Sequence, residues 1–475
     1  MSRERLWEMD KHIVSTIWTS EEAYQNLLFL CDDLGHRFAG SPQEHRAASF
    51  LKEKMEAYGF DRVWLEEFPM ASWERGDCHL ELTEPMRRNF PVIAMPYCPS
   101  AELEAEVIDV GEGELPDFER LVAEIVGKIV LTDAETNKPG ERKSHRMDKY
   151  NWAKARGALA CVFMNQNPGM LRITGRITGR NPNMLGAHNW EAAIPGLGIS
   201  YEAGKTIRRL AERGPLRMKI STSNRTFDSV SYNVIGEIAG SAQPNEVILI
   251  GGHYDSHDIA QGAGDDGAGT VVGLEAGRAL AGFKGRVKRT IRVICFGSEE
   301  VGLRGAWHHA ATQAADDSGK QLRFVLNLDG SGQGNGDQEQ VNVSGIPELV
   351  GYFRDLSKYM LSRFDVTNDL TSRSDHFPFA IRGVPNATLS STDRYAGMVG
   401  RGWDHTEADT LDKISLRGLQ SSAILAARLA LRVSEDEAFP GRRRSVDDVR
   451  QQLAAAGILS QVEHAGRFPP EHNRV

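Results

Sequence analysis

Cysteine is scarce in this 475-residue sequence: Cys31, Cys78, Cys98, Cys161 and Cys295, with no close pair among them. That spacing excludes a zinc knuckle and a disulfide framework, and leaves reduced thiols as the expectation. Long apolar runs are absent as well. No window reaches the roughly 18 apolar residues of a membrane span, and MSRERLWEMDKHIV places charges where a secretory leader has an uninterrupted apolar core. A cytoplasmic protein with no membrane partner is expected, unless a leader precedes this sequence. Basic charge is in deficit too: 56 Lys and Arg against 65 Asp and Glu give a formal net charge of -9. Sequence-independent nucleic-acid binding needs the opposite balance, because basic groups must replace counterions condensed on phosphates, so no nucleic-acid partner is expected.

A hydrophobic fraction of 40% and a charged fraction of 25% are those of a globular protein. The length suggests two or three folding units at roughly 150 residues each. From Ser20 to Tyr58 the apolar residues Leu27, Leu28, Leu30, Ala47, Phe50, Leu51 and Met55 recur at helical spacing, and Val63 to Thr83 alternates as strand. Residues 1–90 are therefore read as the N-terminal part of a catalytic domain. Between 91 and 224 short strands and turns (AEVIDVG, GKIVLTD, GALACVFMN, IPGLGIS) mark a small inserted unit. Within it RITGRITGR, Arg172 to Arg180, reads as a mobile surface loop by its Gly and Thr content. From 225 to 440 buried strands alternate with helices, which predicts an α/β fold: a mixed, largely parallel sheet sandwiched by helices. Residues 441–475 read as a helical tail packed outside.

In an open α/β sheet, ligands bind beyond the carboxyl ends of the strands. EVILIGG delivers His253 there, TIRVICFGS delivers Glu299 and Glu300, and FVLNL delivers Asp329. The loop GAGDDGAG adds Asp265 and Asp266 between glycines, and WDHTEADT adds His405. So much charge at one edge is costly without a cation. Mixed His and carboxylate donors suit Zn²⁺, with Mn²⁺ or Co²⁺ as substitutes. Five ligands exceed one tetrahedral site, whereas two ions about 3.5–4 Å apart, bridged by a carboxylate and a water, use them all. Asp265 is the natural bridge, since flanking glycines let its backbone approach closely. Adjacent side chains of an extended segment diverge, so one of Glu299 and Glu300 ligates while the other accepts a proton. Asp255, two residues after His253, is placed to fix its imidazole from outside, and Asp409 to do the same for His405.

GGHYDS, GAGDDGAG, GSEEVGLRG, NLDG and DHTEADT together resemble, in order, the five ligand segments of the zinc aminopeptidases and glutamate carboxypeptidases with co-catalytic metals. CDDLGHRFAGS, SWERG and GHYDSHDIAQGAGDDGAG are similar to the glutamate carboxypeptidase branch, SRSDHFPFAIRGVP to the aminopeptidase branch, and the inserted unit resembles a protease-associated domain. The resemblance implies two zincs per chain, one held by His253 and Asp329, the other by Glu300 and His405, with Asp265 on both. It also implies Glu299 as base, a cis bond between Asp265 and Asp266 with Asp266 as an outer partner, and a metallo-exopeptidase acting on short peptides or dipeptides through a bridging hydroxide. His376 within SDHFPF either touches substrate or packs beside Phe377 and Phe379. A carboxypeptidase-type dipeptidase would read the substrate carboxylate through Arg394 or Arg401. Two rivals share the architecture, a glutaminyl-cyclase-like transferase with one metal and a receptor-like binding module. A homodimer is compatible with all of these readings.

Overall fold

The strand Gln243–His253 is buried continuously from Val247 onward, as a strand must be when helices cover both faces of its sheet. Its side chains alternate between two apolar cores: Ile248 and Ile250 face one, Leu249 the other. The computed structural model describes residues 3–135, 144–178, 190–315, 320–360, 363–393, 398, 402–464 and 466–468. Around that strand, Arg289–Phe296 and Gln321–Asn327 run parallel to it, and Asn386–Ser391 runs parallel to Gln321–Asn327. The eight-stranded sheet is thus parallel at its centre. Its flanks are antiparallel, with Arg225–Ile238 paired to Arg289–Phe296, and Arg62–Glu74 paired along its whole length to Arg225–Ile238.

One face of this sheet carries the helices Ala268–Ala281 and Leu416–Glu435 together with the N-terminal helix Arg3–Trp18. The last of these was not expected, because charged residues interrupt its apolar stripe. Met9, Ile13 and Ile17, one turn apart, are nonetheless buried, and Asp10 between them is paired with Arg428 and Arg432. The other face is covered by Arg304–Ala315 and by the tail. That tail is not the single outer helix expected. It forms two helices, Val446–Ala455 and Leu459–His464, and their Val449, Leu453 and Val462, with Ile458 from the turn between them, join the core of Trp307 and Phe377. Each such side chain contributes about 1.5–3 kcal/mol on burial, enough to bind the tail to the sheet.

A second eight-stranded sheet builds the inserted unit, in the order Arg88–Phe90, Cys78–Glu84, Arg217–Thr222, Ala101–Asp109, Ile129–Asp133, Ala160–Met164, Gly196–Ile199, Val92–Ala94. Two of its strands precede residue 91. All five cysteines are free. Among the described residues no helix is long and apolar enough to cross a membrane.

Glu339, near the far edge of the first sheet, is buried and accepts a hydrogen bond from Ser422 Oγ at 2.6 Å. Burial pushes its carboxyl from the ordinary 4.5 up to about 7. The folded state therefore keeps a proton that the unfolded chain has released. The stability this supplies is complete below about pH 4.5 and is lost as pH rises through about 7. Glu339→Gln keeps an acceptor for Ser422 and removes the ionisation. Its melting temperature should match the parent's near pH 5 and exceed it above pH 8, the gain reaching up to about 3 kcal/mol. Coincident melting curves at the higher pH would contradict this.

Candidate active site

Three parallel strands end at the same edge and deliver the chemistry expected of them. His253 is the last residue of its strand, Glu299 and Glu300 follow Phe296, and Asp329 follows Asn327. The Asp265–Asp266 peptide bond is cis, as the family resemblance implied. Asp265 lies between two imidazoles: Oδ1 is 3.2 Å from His253 Nε2 and Oδ2 is 3.2 Å from His405 Nε2. Glu300 Oε2 lies 3.4 Å from His405 Nε2, while Glu299 Oε2 lies 4.0 Å from His253 Nε2. The two glutamates thus point to opposite ends of the Asp265 carboxylate. Nitrogen and oxygen donors at bond lengths of about 2.0–2.1 Å around a tetrahedral zinc are themselves about 3.3 Å apart, so these donors fit zinc with little rearrangement.

The supports differ in part from expectation. Asp255 does sit by His253, with Oδ1 3.4 Å from Nδ1, but its carboxylate also accepts from the main-chain N–H groups of Glu299 (2.9 Å) and Glu300 (3.1 Å). It sets both glutamates at once. Asp266 accepts from the main-chain N–H groups of His253, Gly269 and Gly330. A Cβ on Gly252 would stand 2.2 Å from its Oδ2, which explains that glycine. Asp266 also falls within ligand distance of His253 and Asp329, yet its three main-chain donors mark it as a buttress. Asp409, expected beside His405, instead holds the loop of the bridge, accepting from Gly264 N (2.6 Å) and Asp265 N (3.1 Å). His405 Nδ1 lies 3.1 Å from the carbonyl of Thr174, on the inserted unit.

That contact overturns the reading of the RITGRITGR segment as a surface loop. Ile173, Thr174 and Ile177 are buried, Thr174 N donates to His405 O, and Arg172 is paired with Glu407. Apolar packing of the two isoleucines inside the inserted unit outweighs the turn-like composition. Positions 179 and 180 lie outside the described residues, as do Arg394 and Arg401. His376 resolves to the packing alternative: it is 1% exposed, with Nε2 3.1 Å from Thr371 O. Its neighbour Asp375 is the one that sits among the charges of the site. Asp375 is fully buried, makes no hydrogen bond with the described residues, and raises the Glu299 carboxyl by its charge.

Two further residues escaped notice in the sequence. His257 is 5% exposed, with Nε2 3.0 Å from Glu300 Oε2 and its ring centroid 4.4 Å from that of His405. Arg37, in the CDDLGHRFAGS stretch, is wholly buried, and its guanidinium donates to five carbonyls, those of Leu30, Gly35, Tyr254, Gln261 and Gly262. It staples the 254–262 loop that carries His257 and leads to Asp265. The signal for it in the sequence was an arginine between the two glycines Gly35 and Gly40.

Electrostatics indicate what the site is suited to hold. Burial pushes the carboxyls of Glu299 and Asp375 well above the usual range, with repulsion from neighbouring carboxylates adding to it, and burial lifts Glu300 and Asp409 to about 7. Asp265 goes the other way: burial would raise it, but its bonds to His253 and His405 hold it well below the usual range. A cluster that cannot keep its carboxylates ionised by itself is one that a divalent cation completes. From it a cavity opens, walled by Arg146 and Arg176 of the inserted unit, by Arg373, and by Gln461 and Arg467 of the tail.

The model of the family described as Peptidase family M28 matches residues 233–430, and that described as PA domain matches residues 92–207. A carboxypeptidase Q from Xenopus laevis is 30% identical over 375 residues, covering 77% of this chain and 77% of the relative. Aminopeptidase YwaD from Bacillus subtilis is 27% identical over 427 residues, covering 89% and 86%. Among solved structures, a zinc aminopeptidase from Bacillus subtilis aligns with a TM-score of 0.66 at 23% identity, covering 90% of this chain and 98% of that one; the likeness is one of fold.

Arg37→Lys replaces a planar fork of five N–H donors by a single ammonium, leaving carbonyls of the 254–262 loop without partners. Two such carbonyls at about 1–3 kcal/mol each predict a loss of roughly 3 kcal/mol in denaturant unfolding. Weaker zinc binding should accompany it, measured on the same sample. A variant with parental stability would refute the role assigned to Arg37.

Proposed function

The chain belongs to peptidase family M28 and is a hydrolase of the exopeptidase kind, and on that premise we propose that it cuts the peptide bond next to a free terminus of short peptides or dipeptides, using two zinc ions and Glu299. The observation that carries this reading is the divergence of the glutamate pair: Glu300 turns to His405 while Glu299 stands free of the ligand contacts, 4.0 Å from His253. His253, Asp329 and Asp265 would hold one ion, and Glu300, His405 and Asp265 the other. When bound, the pair polarises the scissile carbonyl and acidifies water.

The chain's own groups do the remainder. Glu299 Oε2 takes a proton from the attacking water and returns it to the departing amine nitrogen. Asp255, by gripping the main chain of both glutamates, keeps base and ligand from exchanging roles. Asp329 is held in place by Ser374 Oγ at 2.6 Å, itself anchored by Asn327 Nδ2 at 2.7 Å. Arg146, Arg176, Arg373 and Arg467 on the cavity wall support a substrate whose free carboxylate lies within a residue or two of the scissile bond. This favours dipeptides and short peptides over long chains. One relative is a carboxypeptidase Q and another an aminopeptidase, and the arginine-lined wall supports the dipeptidase side of that choice. We also propose a cytoplasmic location, which five free thiols support.

Glu299→Gln should retain both zincs by elemental analysis while kcat falls by about 10³-fold. Unchanged turnover would sink the assignment. Free dipeptides, N-blocked dipeptides and aminoacyl anilides, offered to the same zinc-loaded sample, separate the substrate readings. Dipeptide cleavage without anilide cleavage is the expected result, and anilide cleavage alone would identify an aminopeptidase. One zinc per fully loaded chain would favour the glutaminyl-cyclase-like alternative, and full loading without any hydrolysis a binding module.

A further inference from the structure

We propose that His257 is a sixth protein ligand of the metal pair, joining Glu300, His405 and Asp265 to make one zinc site with four protein donors beside another with three. The inference rests on the two-metal reading above and extends it. Donor atoms of His257, Glu300 and His405 all lie within 4.8 Å of one another. The edges of that cluster, 3.0 Å from His257 Nε2 to Glu300 Oε2 and 3.4 Å from Glu300 Oε2 to His405 Nε2, are those expected between neighbouring donors of one tetrahedral zinc, about 3.3 Å.

A packed core histidine is the ordinary alternative, and two observations speak against it. Buried imidazoles almost always hydrogen-bond through at least one ring nitrogen. His257, at 5% exposure, does so through neither among the described residues, since its approach to Glu300 is not aligned for a hydrogen bond. The ring is also held in place from behind. Arg37 bonds the carbonyls of Tyr254, Gln261 and Gly262 on both sides of it, and Ser256 Oγ accepts from Arg37 N at 2.9 Å. A loop built so firmly around a side chain with unused donor atoms is preorganised for a ligand.

The consequence is an unequal pair. Zinc sites with four protein donors are closed and tightly held, while catalytic sites keep an open position. The Glu300 site is then the more tightly held one, and it would reach the shared water only by expanding to five-coordinate. The three-donor site of His253, Asp329 and Asp265 keeps room for water and substrate, and it is the site beside which Glu299 stands, 4.0 Å from His253.

The test is a crystal structure of the zinc-loaded full chain with anomalous data at the zinc edge, joined to chelator-competition titrations of the parent, His257→Ala and His257→Gln. His257 Nε2 should lie about 2.0–2.1 Å from the ion held by Glu300 and His405. In both variants that ion should bind roughly a hundredfold or more weaker, beyond the usual effect of an outer partner, with the His253 site unchanged. Melting curves of the metal-free proteins show whether the variants fold, and the parent structure decides the matter even if they do not. A zinc on Glu300 and His405 with His257 3 Å or more away overturns this inference and leaves the two-metal reading intact. A single zinc at that position, bound by His257, overturns the two-metal reading and leaves the ligand standing. No zinc at that position overturns both.

Discussion

Buried negative charge at the carboxyl edge of the first sheet is the constraint to which the rest of the molecule answers. Asp255, Asp265, Asp266, Glu299, Glu300, Asp375 and Asp409 are all buried there, and burial alone would neutralise most of them. Most are therefore given a compensating group. Main-chain N–H donors serve Asp255, Asp266 and Asp409; imidazoles flank Asp265 and Glu300. Asp375 and Glu299 receive the least. The carboxylates thus divide into those held by main-chain donors and those that face imidazoles or each other.

The same edge explains why one chain builds two sheets and a tail around a single site. The inserted unit supplies the carbonyl of Thr174 to His405 and two arginines to the cavity. The tail supplies Gln461 and Arg467 to the same cavity, with Gln461 Nε2 donating to Asp148 of the inserted unit. Among the described residues neither element adds a member to the His and carboxylate clusters of the site, and both line the cavity that opens from it. Arg37 and Glu44 tie the N-terminal layer to this centre. Glu44 accepts from Ser298 N at 3.1 Å and from Ser231 Oγ at 2.8 Å, directly before the glutamate pair. A substitution more than 200 residues before His253 can therefore disturb the site without touching substrate.

Much of the site was legible before any coordinates, because polar residues that follow apolar strands must lie at one edge of a parallel sheet. His253, Glu299, Glu300 and Asp329 were found that way, and the glycine-flanked aspartates by the close approach that glycine permits. His257 was not: it lies in an irregular loop four residues past its strand, where no periodicity fixes direction. Asp375 and His376 are neighbours in one motif and both are buried; only their partners told which faces the charges, His376 Nε2 lying by Thr371 O while the Asp375 charge acts on Glu299. The RITGRITGR segment was misread because composition reports turn chemistry, while two isoleucines inside it answer to a core the sequence does not display. The N-terminal helix was missed because Asp10, which breaks its apolar stripe, is neutralised by Arg428 and Arg432 more than 400 residues away.

The sequence by itself determined the class of fold, the inserted unit, the metal-binding character of the strand ends and the family resemblance, since these depend on local pattern: period, strand length, glycine placement and the order of motifs. The tertiary structure decided which carboxylates are held by main-chain donors and which face imidazoles, that Asp409 accepts from the loop of Asp265 and not from His405, and that arginines of the inserted unit and one from the tail line the cavity. Those assignments depend on which groups meet across hundreds of residues. A carboxylate's role is set by the donors that reach it, and only folding brings them together.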